Sequence, residues 1–204
     1  MTALSELQRD ALGEIFNIGV GRAASSLSQI VNDEVLLSAP SIIVVRREQV
    51  AEILLGCEIE NFSSVSQIFS GPFDAEALLI FPETNALEIV RLMVGSHMTI
   101  DELSEFQQEA MCEVGNIILN ACMSALADLL KLSFSSTLPQ HRFGDKESIE
   151  IGNGDENNMV VLLQVDMTIS QECLHGHIVF LLSVSSMANL LCSLNQYLSN
   201  QGLA

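Results

Sequence analysis

The stretch SELQRDALGEIFNIGVGRAASSLSQI, residues 5–30, and its partner SEFQQEAMCEVGNIILNACMSALADLLK, residues 104–131, decide the fold. Ser5 with Gln8, and Ser104 with Gln107, have the spacing of a capping box at a helix start. Leu7, Ala11, Ile15, Ile18, Ala23, Leu27 and Ile30 then recur at helical spacing in the first stretch. Phe106, Ala110, Val114, Ile117, Ala121 and Leu126 do so in the second, and both sets are expected to face inward. Two long helices 99 residues apart therefore read as copies of one unit. A period near 100 residues means a duplication, not a solenoid.

Working outward, Pro40 precedes the β-branched run Ile42-Ile43-Val44-Val45, a short strand, and a small helix is expected over Arg47–Leu55. Ser64–Ser70 and Phe73–Phe81 read as strands joined by a Gly71-Pro72 turn, followed by helical periodicity over Glu83–Val94. In the second half Met159–Met167 and Leu174–Leu182 read as strands and Ser185–Leu198 as a closing helix. Residues 144–158, GDKESIEIGNGDENN, are acidic and turn-rich and read as a loop or hairpin connection. The expectation is one α/β domain, α+β in character, built of two repeats over about residues 5–100 and 104–200. The doubling gives internal pseudo-twofold symmetry with two long exposed helices, and periodicity supplies the strands and helices themselves.

Superposed at the 99-residue offset, Asp10 meets Glu109, Glu14 meets Glu113, Asn17 meets Asn116 and Pro40 meets Pro139. Both halves read acid-x3-Glu-x2-Asn-x22-Pro, a string that average residue usage produces at a given start on the order of once in a hundred thousand. Positions i, i+4 and i+7 fall on one helical stripe, so each long helix should present an outward polar ridge. A solvated face explains a single triplet, yet it gives no reason to keep Asn, a mediocre helix former, at the same place twice. No nucleophile–base pair and no His accompany the motif, which leaves covalent catalysis unsupported. Two carboxylates on an open face are also a poor metal site, and no cofactor of the chain's own is expected. An amide can orient a water without losing a proton, and a nearby Glu can hold a cation, which suits a site completed by a second protein.

Composition narrows the classes further. The 204 residues carry 26 acidic and 8 basic side chains, a formal net charge of −18. Nucleic acid and anionic membrane surfaces are excluded as partners, because neither is held without a basic patch. Hydrophobic residues make up 49% of the chain, enough to bury a core despite the acidity. The N-terminus lacks a signal peptide, no apolar run is long enough to span a bilayer, and a cytoplasmic location is expected. Five widely spaced cysteines read as buried free thiols. Met93, Met111 and Met123 read as core filling and His175-x-His177 as structural rather than metal-binding. Gly19 and Gly21, costly inside a helix, read as sites of close packing, with room for a docking partner the alternative.

The doubled pattern, with Glu14-Ile15-Phe16-Asn17-Ile18-Gly19-Val20-Gly21 and Glu113-Val114-Gly115-Asn116-Ile117, resembles the CheC branch of the CheC/CheX/FliY chemotaxis phosphatases. Two motifs favour CheC over CheX, which keeps one; the absence of a receiver-binding peptide before Ser5 and of a domain after residue 204 argues against FliY. The resemblance implies that strands from both halves join in one antiparallel sheet, and it implies hydrolysis of the aspartyl phosphate of a CheY-type response regulator. It implies that Asn17 and Asn116 position the attacking water and that Glu14 and Glu113 pair with the regulator's Lys. Asp10, Glu109, Pro40 and Pro139 complete the motif. Mg²⁺ is then expected on the regulator. The family's regulator CheD docks on a helix after the second motif, a place that falls here in residues 144–158 and leaves CheD open as a partner. A non-catalytic module that docks receiver domains or chemotaxis and flagellar partners is the alternative.

Overall fold

The computed structural model describes residues 4–46, 49–50, 53, 61–94, 100–145, 159–169 and 172–202. Helix α1 (Glu6–Val31) starts as its cap requires: Ser5 Oγ accepts from Gln8 N–H at 3.2 Å, and Ser5 N–H donates to Gln8 Oε1 at 2.8 Å. It ends at Asn32, whose φ of 53° is the left-handed stop. Strands β1 (Val35–Arg46), β2 (Asn61–Ser70) and β3 (Ala75–Pro82) follow, then α2 (Glu83–Val94) and the long α3 (Ile100–Leu130). The second half continues with β4 (Ser135–Ser136), β5 (Gln140–Asp145), β6 (Met159–Ile169), β7 (Glu172–Leu182) and α4 (Val184–Asn200), whose N-cap is Ser183.

The second capping box does not form. Helix α3 begins at Ile100, so Ser104 lies inside it, and Gln107 is buried, its Nε2 without a partner among the described residues. Leu103 supplies the reason, since burying this side chain to 5% exposure favours an additional helical turn ahead of Ser104. Residues 144 and 145, expected in a loop or hairpin connection, are the last of β5 and pair with Phe62 and Asn61. Residues 146–158, with the place expected for CheD, and most of the small helix expected over 47–55 lie outside the described residues.

Among the described residues, seven strands form one antiparallel sheet in the order β1-β6-β7-β3-β2-β4, with β5 also paired to β2. At its centre β3 runs beside β7, and Leu79 faces Ile178, its own counterpart at the 99-residue offset. A pseudo-twofold axis therefore passes between them. The repeats interlock, because β1 pairs with β6 of the second half and β5 pairs with β2 of the first. Pro40 lies within β1 rather than before it. That is tolerated because β1 is an edge strand with a register shift between Ser38 and Ser41.

Strand positions alternate between two apolar clusters. Val65, Phe69, Leu79, Phe81, Leu163, Ile178 and Phe180 join the helices in the main core. Phe62, Leu78, Ile80, Leu162, Val179 and Leu181 form a second cluster with Val50. The central strands are thus buried on both sides. Helices α1 and α3 cross so closely that a Cβ on Gly19 would lie 2.7 Å from the Cys122 Cα, which makes Gly19 a packing glycine. Gly21 faces open space. Met111 and Met123 are core residues as expected and Met93 packs at its margin.

Two expectations from composition are corrected. Cys122 is fully buried, with burial pushing its thiol up to about 12, and Cys112 is half-buried, but Cys173 and Cys192 are exposed. The last two fall on the outward sides of β7 and α4, which wide spacing in sequence does not reveal. Helix residues Phe106–Leu130 are long and apolar enough to cross a membrane by length and composition, a span missed by counting only uninterrupted apolar runs. Half of its most apolar stretch is buried within the protein, and Glu109, Glu113 and Asp128 interrupt the 25-residue span.

The histidines set a pH dependence. His175 Nδ1 lies 2.7 Å from Asp166 Oδ1 across the β6–β7 ladder. Burial holds His177 and His141 below the ordinary imidazole value; Asp166 opposes this at His177 and His175 reinforces it. A histidine depressed in the folded state is protonated more readily when unfolded, so stability falls as pH drops below about 6.5 and levels off beneath the folded values. Urea midpoints measured from pH 7.5 to 5.5 should decline, and His177→Gln should flatten the decline. An unchanged slope in that variant would place the effect elsewhere.

Candidate functional site

The two polar ridges form as the spacing requires. Asp10, Glu14 and Asn17 are exposed on α1; Glu109 and Glu113 are exposed and Asn116 half-buried on α3. None of the four carboxylates makes an ion pair among the described residues, whereas nearby Arg22 and Asp128 join α1 to α3 at 2.7 Å. Leu7, Ile30 and Phe106 do not face inward: they are 39%, 41% and 41% exposed. Leu7 and Phe106 each precede the ridge acid by three residues and so share its stripe. The ridges therefore read apolar–acid–Glu–Asn.

Asn17 is tied to β1. Its Oδ1 accepts the Ala39 backbone N–H at 3.2 Å. Ala39 and Pro40 sit in the register shift and are absent from the β1–β6 ladder, which frees the Ala39 N–H for a side chain. The 22-residue gap from Asn17 to the position before the proline is thus the length of chain that returns β1 beside α1. A backbone N–H only donates, so the bonded amide atom must be oxygen and Nδ2 must point away.

Asn116 reaches the same orientation by other means. Its Oδ1 accepts from Asn120 Nδ2 at 2.8 Å and from Gln67 Nε2 at 3.4 Å. Gln67 Nε2 also donates to the Thr137 carbonyl at 3.0 Å, and Asn120 Nδ2 to the Asn116 carbonyl at 2.7 Å. These two carbonyls accept only, so they determine which ends of Gln67 and Asn120 are nitrogen, and hence that Asn116 turns its oxygen inward. Asn120 Nδ2 further approaches Gln67 Oε1 at 3.2 Å. Among the described residues, Nδ2 of Asn17 and Nδ2 of Asn116 have no partner. Each site offers an unused amide donor beside an unpaired carboxylate.

The residue before each Asn is turned into the core. Phe16 is buried and stacks on Phe180 with ring centroids 5.1 Å apart. Gly115, its counterpart, is pressed on Val65, where a Cβ would come within 2.4 Å. Around the first ridge an open groove of about 470 Å³ is lined by Arg9, Asp10, Gly13, Glu14, Asn17 and Ser41 among others. No group of three or more metal-ligating side chains occurs among the described residues. Gln67 and Asn120 escaped the sequence reading. Asn120 continues the stripe at i+4 from Asn116, but the first half has Gly21 there, so superposing the repeats hid it.

The chain is a duplicated α+β unit carrying two acid–Glu–Asn helices, and it is similar in sequence to CheC-like proteins. Residues 7–44, which hold the first motif and Pro40, match the CheC-like family model. The chain is 26% identical over 200 residues to the CheY-P phosphatase CheC of Bacillus subtilis (strain 168), covering 94% of this chain and 95% of that one. Its fold is similar to FliY of Thermotoga maritima, with a TM-score of 0.80 at 19% identity, covering 97% and 100%. The FliM middle domain of H. pylori shares it at a TM-score of 0.62 and 12% identity, covering 93% and 99%.

Proposed function

We propose that this protein is a cytoplasmic phosphatase that hydrolyses the aspartyl phosphate of a CheY-type response regulator, with one site on each long helix. The observation that carries the reading is the repeated amide, held by its oxygen and turned outward by its nitrogen, beside a free carboxylate. The name of the Bacillus subtilis relative agrees with it.

Asn17 or Asn116 enters the regulator's phosphorylation pocket and donates through Nδ2 to a lone pair of water, aiming the other lone pair at phosphorus. Water bonds to phosphorus, the bond to the aspartyl oxygen breaks with its electron pair left on the carboxylate, and the water proton passes to phosphate. The transition state is loose, so alignment and charge neutralisation supply most of the acceleration. Glu14 or Glu113 pairs with the regulator's Lys, while Asp10 or Glu109 and exposed Leu7 or Phe106 extend the docking face. Mg²⁺ belongs to the regulator.

The net charge of −18 repels an acidic receiver pocket at a distance, so encounter relies on the local Lys–Glu pair. Sharing a fold with the FliM middle domain favours the alternative of a docking module only at the level of fold. Mixing the protein with a phosphorylated CheY-type receiver and Mg²⁺ should accelerate phosphate release several-fold or more. Binding without acceleration would establish the docking module instead.

A further inference from the structure

We infer that Gln67 and Asn120 are positioning residues for Asn116, so that the two sites of this protein orient the same amide by different devices; this rests on the reading of Asn116 as the water-orienting group. In the first site one backbone N–H, at 3.2 Å, holds the Asn17 oxygen. In the second, a side-chain pair replaces it. Asn120 lies one turn along α3 and donates at 2.8 Å, and Gln67 arrives from β2 of the other repeat, 2% exposed, and donates at 3.4 Å.

The difference follows from the two connecting segments. In the first half the bulge of β1 brings the Ala39 N–H to Asn17, and Ala39 is buried. In the second half Leu138 occupies the corresponding place and is 84% exposed, so the strand does not close on the helix in the same way. The Thr137 carbonyl instead accepts from Gln67 at 3.0 Å, and Gln67 bridges the strand to Asn116. Asn120 completes the bridge by meeting both the carbonyl and the side-chain oxygen of Asn116. Its counterpart Gly21 has no side chain and nothing within 4 Å of a Cβ placed there, so the first site lacks this device. A rigid amide donor contributes to k only while its direction is held, and the network is what holds it.

The test uses the full chain with Asn17→Ala, which leaves the second site alone. In that background Asn120→Asp, which keeps size but removes the donor, and Gln67→Met, which keeps volume, should each lower kcat about tenfold while KM for the phosphorylated receiver holds. Combined with Asn116→Ala, Asn120→Asp should add no further loss, since the groups act as a unit. Thermal unfolding checks folding, and Asn120→Gly, matching Gly21, serves if the Asp variant does not fold. An unchanged kcat, or a raised KM with kcat intact, overturns the inference. Should Asn116→Ala itself leave kcat unchanged in the same background, the failure lies with the site reading and not with its supports.

Discussion

Replacing both Asn17 and Asn116 by Ala should reduce the acceleration of phosphate release by about a hundredfold, the size of effect seen when one aimed hydrogen-bond donor is removed from a charge-developing centre. Each single variant should retain the contribution of the other site, because the two ridges lie on separate helices and share no hydrogen bond among the described residues. The measurement is phosphate release from a phosphorylated receiver at saturating and limiting concentrations. The expected pattern is a fall in kcat for the Asn variants. Glu14→Gln and Glu113→Gln should instead raise KM, because they weaken pairing with the regulator's Lys and leave the amide donor in place. Full activity in the double Asn variant would remove the proposed assignment of these residues.

The second large effect concerns the scaffold. Gly19→Val should cost roughly 3 kcal/mol, or a melting temperature lower by roughly 10 °C for a chain of this size. The first atom of any side chain at Gly19 meets backbone, the Cys122 Cα at 2.7 Å and the Ala121 carbonyl at 3.1 Å. Backbone cannot rotate away as a side chain can, so α1 and α3 must separate and lose contact along their crossing. Gly21→Ala is the control. It faces open space and should raise stability by up to about 1 kcal/mol through helix propensity alone. A calorimetric scan of both variants decides the matter; equal melting temperatures would mean that the crossing can relax.

The ridges were legible because i, i+4 and i+7 share a stripe in any α-helix, whatever surrounds it. The same rule, applied without a core to refer to, misassigned Leu7 and Phe106. Both fit the inward series and the ridge stripe, and only packing shows that they stand on the ridge side. The Ser104 capping box matched in spacing but formed no cap, since burial of Leu103 favours the longer helix. Pro40 marked a real break in the β1 ladder. Its purpose, freeing the Ala39 N–H for Asn17, depends on where the strand returns.

By itself the sequence determined the duplication, the two polar ridges, the motif residues and the strands and helices, because local periodicity and repeated spacing encode each of them. Tertiary structure alone decided that the repeats interlock strand by strand and that both amides turn their nitrogen outward. It also decided that the second site borrows Gln67 from the first repeat. These are contacts between residues from 22 positions apart, as Asn17 and Ala39, to 134, as Val35 and Ile169, set by how chain segments return to one another. No local pattern carries that information, since the donor that reaches a given oxygen depends on which strand the sheet places beside it.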